Sequence, residues 1–204
     1  MDMDTKNGFW IMILAVAIFG AGHSIMASMW LKAAIARCCK KGFERLYRLL
    51  YNLVASVTIL PVLGLVIVLP DQELYRIPLP WALLTMAIQG LSLWGMAKTM
   101  GRSGAGRFFG IEQFLSRNPS EHTEELVVDG WYEFVRHPIY LFSLFFIWLM
   151  PVMTMNILGL NIGLTVYLFI GTLFEERKLE AAFGKTYVAY KQKTPMILPI
   201  RFRK

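Results

Sequence analysis

Five apolar blocks, separated by polar and mostly basic stretches, order this chain. They run over about Phe9–Trp30, Leu46–Leu69, Leu79–Met100, Pro138–Met153 and Asn156–Phe174. Crossing a hydrocarbon core takes roughly 20 residues of helix, and the blocks are of that order. The pattern predicts an all-α fold, a polytopic membrane bundle of about five transmembrane helices in a single domain over residues 1–204. Pro61 falls inside the second block, where a proline kinks a helix. Between the last two blocks only the residues around Met153-Thr154-Met155-Asn156 are left for a turn. Two helices joined so tightly form a hairpin whose far ends return to one membrane face.

Composition agrees with this reading. The chain is 56% hydrophobic and 17% charged, with a mean hydropathy of +0.48, whereas a soluble domain carries about a quarter charged residues. The first block follows Met1-Asp2-Met3-Asp4, an acidic start with no small-residue cleavage site, and reads as a retained helix rather than a signal peptide. Basic residues set the orientation. Lys32, Arg37, Lys40, Lys41, Arg45 and Arg48 follow the first block, and the C-terminal tail carries Arg177, Lys178, Lys185, Lys191, Lys193, Arg201, Arg203 and Lys204. The loop between the second and third blocks sets Asp71 and Glu73 against Arg76. An outside N-terminus and a cytoplasmic C-terminus bring every basic segment to one side, and a bacterial inner membrane is the expected location. The net charge of +7 then reflects topology and contact with anionic membrane lipid. Nucleic-acid binding is not expected, since no folded basic domain is left for it. Cys38 and Cys39 fall in a cytoplasmic loop, where free thiols are expected rather than a disulfide, with palmitoylation as the alternative.

The longest polar stretch, about Gly101 to Val135, opens with glycines and arginines from Gly101 to Gly110. Such a segment can cradle a phosphate through backbone N–H groups. It lacks the Lys-Ser/Thr ending of a P-loop, so a connector leaving a membrane helix is the simpler reading. The loop then turns acidic at Glu121, Glu124, Glu125, Asp129 and Glu133. Leu126-Val127-Val128-Asp129-Gly130-Trp131-Tyr132 is apolar enough to fold back as a cytoplasmic cap over a pocket.

Candidate chemistry gathers at the ends of the hairpin. Arg136 and His137 precede Pro138, which suits a helix start because its missing N–H would be unpaired there anyway. Helix N-termini attract anions, and Tyr140 lies close to one turn further on. At the other end Glu175 and Glu176 follow directly on Leu173-Phe174, a costly depth for two carboxylates unless they face protein or water. Taken singly, Arg136 and Tyr140 also suit an interfacial anchor belt, and the glutamates a helix continuing into the cytoplasm. Taken together, the hairpin pairs an anion site with a cation site, which fits a zwitterionic amino acid; S-adenosylmethionine is the cytosolic metabolite with that head group and a reactive centre. His23, His122 and His137 are scattered and the cysteines adjacent, so no metal site is expected.

The run Leu126 to Tyr140, with Gly130, Tyr132 and then Arg136-His137-Pro138-Ile139-Tyr140, resembles the signature of the membrane-bound S-adenosylmethionine-dependent methyltransferases, which include isoprenylcysteine carboxyl methyltransferases and phospholipid methyltransferases. Glu175-Glu176-Arg177-Lys178-Leu179, Phe183-Gly184-Lys185-Thr186-Tyr187, Tyr190 and Pro195-Met196-Ile197-Leu198-Pro199 are similar to that superfamily's C-terminal block. His23-Ser24-Ile25-Met26-Ala27-Ser28, Lys32, Glu44-Arg45 with Tyr47 or Tyr51, and Phe109-Gly110-Ile111-Glu112-Gln113 resemble a subgroup of methanethiol S-methyltransferases, denitrification-associated membrane proteins and the nuclear-envelope protein nurim.

The resemblance implies N-terminal helices over residues 9–100 and a cofactor-binding core over residues 101–199. Leu126, Val127 and Gly130 would pack on the adenosine, with Tyr132 beside them; Arg136, His137 and Tyr140 would hold the carboxylate end, and Glu175 or Glu176 the amino group. His23 and Glu176 are the catalytic candidates, with Gln113 and Arg177 lining the acceptor pocket. The implied reaction moves a methyl group to a small thiol or a lipophilic acceptor. The alternatives are a phospholipid or isoprenylcysteine methyltransferase, or a non-catalytic scaffold of the nurim kind. A transporter is disfavoured, since no charge lies near the middle of a span and no repeat pair is present.

Overall fold

The computed structural model describes residues 3–38, 43–115 and 126–200. In chain order the helices are α1 (Met3–Ala27), α2 (Met29–Cys38), α3 (Phe43–Val68), α4 (Trp81–Arg102), α5 (Ala105–Phe109) and α6 (Ile111–Leu115). They continue as α7 (Trp131–Phe134), α8 (Pro138–Trp148), α9 (Met155–Phe183) and α10 (Lys185–Lys193). Two short strands, β1 (Glu73–Arg76) and β2 (Val152–Thr154), pair as a two-stranded sheet. Among the described residues, one compact unit gathers residues 3–75, 104–115 and 152–167, and a second gathers 76–103, 126–151 and 168–200.

In the first unit α1, α3 and the first turns of α9 share a core of Met12, Val16, Val62 and Leu160, with Phe19, Ile59, Val66 and Leu164 packed against it. Apolar positions three or four apart on each helix make these contacts. The approach of α9 to α1 is close because Gly159 and Gly163 lie one turn apart. A Cβ on Gly159 would sit 2.9 Å from the Phe9 carbonyl oxygen, and one on Gly163 would sit 3.0 Å from Val16 Cβ. This small-residue spacing is how helices pack in lipid, where van der Waals fit replaces the hydrophobic drive. The first apolar block does not run unbroken to Trp30. Ser28 interrupts it, its hydroxyl donating to the Ile25 carbonyl at 2.7 Å and accepting the Leu31 N–H at 3.3 Å, so that α2 begins as a separate capped helix.

In the second unit α4 packs along α8. Gly95 lets the two approach, since a Cβ there would lie 2.6 Å from the Phe142 ring. Gln89 Nε2 donates to the Phe146 carbonyl at 2.8 Å, and the Trp131 ring of α7 stands edge-on to Phe142 at 5.1 Å.

Among the described residues, three helices are long and apolar enough to cross a membrane: Lys6–Ala27, Leu46–Val68 and Met155–Phe183. Their outer faces expose Leu14, Ile18, Val57, Leu60, Ile67, Val166 and Ile170. A surface this apolar has lipid as its natural solvent, and the protein is an integral membrane protein. The second of these helices runs through Pro61 without interruption.

Several expectations change. The fourth block forms α8 over only 11 residues, about 16 Å of helix, less than a hydrocarbon core on its own. It stops ahead of Pro151, which can supply no helical N–H. Of the residues expected to form a bare turn, Met153 and Thr154 belong to β2 and Met155 and Asn156 open α9; the strand is flanked by Ile77 N–H donating to the Pro151 carbonyl at 2.8 Å and Met155 N–H donating to the Gln72 carbonyl at 3.0 Å. The all-α expectation therefore becomes a mostly helical fold with one small sheet. The glycine-rich segment after span three is likewise no open loop, since α4 runs on to Arg102 and α5 and α6 follow.

Candidate active site

Glu176 is the centre of the second unit's polar core. It lies on α9, a 29-residue helix that places it about 30 Å from Met155 at 1.5 Å per residue, the far edge of a hydrocarbon core. Its Oε1 accepts from Arg136 Nε at 2.6 Å and from Arg136 Nη2 at 2.6 Å. His137 Nε2 lies 3.3 Å from the same oxygen, and the Tyr187 hydroxyl donates to it at 3.3 Å. Lys191 Nζ reaches Oε2 at 3.1 Å. The carboxylate is buried and saturated. A bare charge there would be untenable, and the forked guanidinium is the partner whose geometry compensates its desolvation.

Glu175, one residue earlier, has a different environment. Its Oε2 accepts from the Tyr140 hydroxyl at 2.7 Å and lies 3.6 Å from His137 Nδ1, yet its side chain is 44% exposed against 6% for Glu176. The His137 and Tyr140 rings stack, with centroids 5.4 Å apart and planes within 5°. Pro138 at the start of α8 sets this up: it directs His137 out of the helix at φ −124° while Tyr140 occupies the first turn.

The C-terminal segment closes the cluster from behind. Arg136 N–H donates to the Pro195 carbonyl at 2.9 Å and His137 N–H to the Met196 carbonyl at 3.0 Å, a strand-like pairing. Arg136 Nη1 donates to the carbonyls of Lys191, at 3.1 Å, and of Thr194. Tyr190 donates to the Tyr132 carbonyl at 2.6 Å, and Tyr132 in turn shares a hydrogen bond of 2.6 Å with Ser103. Gly184, at φ +53°, supplies the left-handed turn that folds α10 back from α9. On α10 the residues Tyr187, Tyr190, Lys191 and Thr194 fall on one face by their spacing of three and four. Burial holds the Tyr187 hydroxyl well above its usual range and pushes Tyr190 up to about 12. The neighbouring carboxylates of Glu180 and Glu176 raise Lys191.

Of the residues expected at the site, Arg136, His137, Tyr140, Glu175 and Glu176 are brought together. Tyr132 joins them through Tyr190. Leu126 and Val127 are half-buried just before α7, and Gly130 opens α7 at φ +62°. There Asp129 is tied to Arg102, which holds its carboxyl below the usual range. Arg177 is exposed and its guanidinium lies 5.7 Å over the Phe174 ring, outside this cluster. Gln113 is on α6, and its side chain lies outside the described part of the structure, as do Glu121, His122, Glu124, Glu125 and Cys39.

His23 belongs to the first unit, where two phenols hold it. Tyr51 of α3 lies 2.7 Å from Nε2 and Tyr167 of α9 lies 2.5 Å from Nδ1. The sequence pattern marks neither tyrosine as a partner of His23, nor Tyr187, Tyr190 and Lys191 as site residues. The signals for the last three are their shared helical face and, for Tyr187 and Tyr190, their place in the C-terminal block that resembles the family's.

Comparison with known proteins places the chain. A model of the phospholipid methyltransferase family matches residues 79–186, more than half the chain and the whole stretch from α4 to the start of α10. The chain belongs to that family. Methanethiol S-methyltransferase 1 of Bradyrhizobium diazoefficiens is 30% identical over 98% of this chain and 70% of its own length. The methanethiol S-methyltransferase of Mycobacterium tuberculosis is 30% identical over 92% of this chain and 76% of its own length, and that of Crocosphaera subtropica is 26% identical over 90% and 72%. No solved structure matches. The protein is a membrane methyltransferase.

Proposed function

We propose that the protein transfers a methyl group from S-adenosylmethionine to a small thiol, with the donor's amino-acid end held in the Arg136–Glu176 cluster. The observation that carries this reading is the unequal state of the two glutamates. Glu176 is saturated by Arg136, His137, Tyr187 and Lys191, whereas Glu175 keeps an accessible carboxylate beside Tyr140 and His137. A zwitterion needs a carboxylate for its ammonium and donors for its own carboxylate; Glu175 supplies the first, and Tyr140 and His137, which face Glu175 here, would supply the second by turning to the ligand. Glu176 and Arg136 are positioning residues, holding His137 and the C-terminal segment in place. Leu126, Val127 and Gly130 are assigned to the adenosine end by family resemblance. Bound there, S-adenosylmethionine supplies the activated methyl group, and the protein supplies alignment and exclusion of water.

The thiol acceptor rests on the relatives' printed names. His23 is the acceptor-side candidate for taking up the thiol proton, with Gln113 and Arg177 as further lining residues. We place the N-terminus outside and the C-terminus and active site in the cytoplasm of a bacterial inner membrane, in line with the basic residues. In this reading α4 and α8 complete a five-pass arrangement, and residues 126–135 form the cytoplasmic cap.

Calorimetry with S-adenosylmethionine and with its demethylated product tests the donor site; absence of heat for both would remove the reading's base. Membranes supplied with labelled donor and methanethiol, an isoprenylated cysteine or phosphatidylethanolamine test the acceptor. Dimethyl sulfide release is expected, and methyl incorporation only into lipid or prenylcysteine would overturn the thiol assignment.

A further inference from the structure

Within the second unit, Trp94, Lys98 and Arg102 follow one another on α4 at intervals of four, so they line one side of the helix over about 12 Å. Beside them α7 exposes Trp131 and Phe134. The two elements border an open groove of about 640 Å³, a volume within the usual range of small-ligand sites. We propose that this groove holds a membrane phospholipid, with its phosphodiester on Lys98 and the start of an acyl chain along Trp94 and Phe134. The inference goes beyond the methyl-transfer reading and does not depend on it.

Shape and polarity suit a lipid chain. Small residues, Ala97 and Gly101, lie between the larger side chains of the groove, and a Cβ on Gly101 would meet nothing within 4 Å. The aromatic walls at Trp94 and Phe134 are exposed. Leu91 and Leu93, just before Trp94 on α4, are exposed as well, so the apolar wall is continuous with more apolar helix surface. In an integral membrane protein such a surface has hydrocarbon as its solvent, and an acyl chain shares that chemistry where a soluble polar partner does not.

Charge selects the head group. Lys98 Nζ lies 5.9 Å from the centroid of the Trp94 ring and has no carboxylate partner among the described residues. Arg102, by contrast, is tied to Asp129, its Nε donating at 2.9 Å. Glu133, which accepts the Gly130 N–H at 3.3 Å, is the other charge bordering the groove. One uncommitted cation beside one carboxylate suits a singly charged phosphodiester better than a doubly charged phosphate monoester. A lysine stem lying on a tryptophan with its ammonium at the polar end is also how these two residues meet the head-group level of a bilayer.

The test uses the full chain in detergent, stripped of lipid and titrated with dioleoylphosphatidylglycerol under native mass spectrometry. This lipid carries the phosphodiester but no amine, so its binding cannot be that of an N-methyl acceptor. The parent should hold one lipid more tightly than the rest. Gly101→Leu fills the groove from a position with open space around it and should lose that lipid. Gly64→Leu, in open space on α3, should keep it. Lys98→Gln should weaken it about fivefold, the worth of one basic residue at an anionic surface. Should Gly101→Leu fail to fold, Phe134→Ala takes its place, with the same loss expected. Parental lipid retention in a folded Gly101→Leu, or in Phe134→Ala where that replaces it, would overturn the proposal. So would displacement of the lipid by glycerophosphate, which would make the groove a site for a free anion. Gly130 borders the groove as well, so release of the lipid by S-adenosylmethionine would assign the groove to the methyl donor instead. A dimer that dissociates in Gly101→Leu would assign it to a second copy of the chain.

Discussion

Arg136–Glu176 and Arg102–Asp129 are the same two functional groups in two different solvents. In the first pair the side chains are 7% and 6% exposed, in the second 57% and 54%. The exposed pair sits where α4 meets the segment before α7, and water can replace either partner. The buried pair is surrounded by His137, Tyr187, Lys191 and the carbonyls of the C-terminal segment, and nothing can replace a lost partner. Bond geometry alone would rank the two alike; burial separates them.

The largest effect should follow from breaking the buried pair. Glu176→Ala strands the Arg136 guanidinium, and a loss of about 3–5 kcal/mol is expected in denaturant or thermal unfolding in detergent. Pairing that change with Arg136→Met should recover much of it, because an apolar pair needs no desolvation. A Glu176→Ala protein as stable as the parent would show that the cluster is solvated after all.

Glu175→Gln separates holding the fold from holding the ligand. Stability should hold close to the parent value. Donor affinity measured by calorimetry should weaken by about 1.5–3 kcal/mol, the range for a hydrogen bond to a charged group. The reverse outcome, lost stability with parental affinity, would exchange the roles of the two glutamates.

High pH probes the latch around the cluster. A phenol in the unfolded chain ionises near 10, whereas Tyr190 is held up to about 12 and Tyr187 and Lys191 are also raised. For each, the folded state binds its proton more tightly. The contribution is therefore complete below about pH 10 and is lost as pH rises through the folded values. Unfolding followed from pH 8 to 12 should show stability falling above 10, and Tyr190→Phe should flatten part of that fall.

The exposed pair should give the smallest signal. Asp129→Asn is expected to leave the melting temperature within error of the parent. The carboxyl of Asp129 is depressed by the Arg102 guanidinium, so its tie is present above the usual carboxylate value and disappears as pH falls through the depressed one. Salt should weaken it further. A change as large as that for Glu176→Ala would break the contrast between the two pairs.

The charged hairpin ends are legible in the order of residues. Arg136, His137, Tyr140, Glu175 and Glu176 stand out because polar groups bordering apolar helices are costly and so have a reason to be there. The short α8 and its strand are hidden, because an apolar run has no period that distinguishes a span from a half-span ended by Pro151. The α9 contact with α1 is present as Gly159 and Gly163 but cannot be read from them, since a glycine pair reveals its use only when the opposite helix is known.

The sequence by itself determined that this chain lives in lipid, which of its ends are basic, and which family its motifs belong to, because those follow from composition and order along the chain. Tertiary structure alone decided that Glu176 is enclosed and Glu175 open. Neighbours on a helix point about 100° apart, and only the packing of α8 and α10 says which direction is inward. It also decided that both nitrogens of His23 are taken, because Tyr51 and Tyr167 are distant in sequence and reach the ring only once three helices have packed.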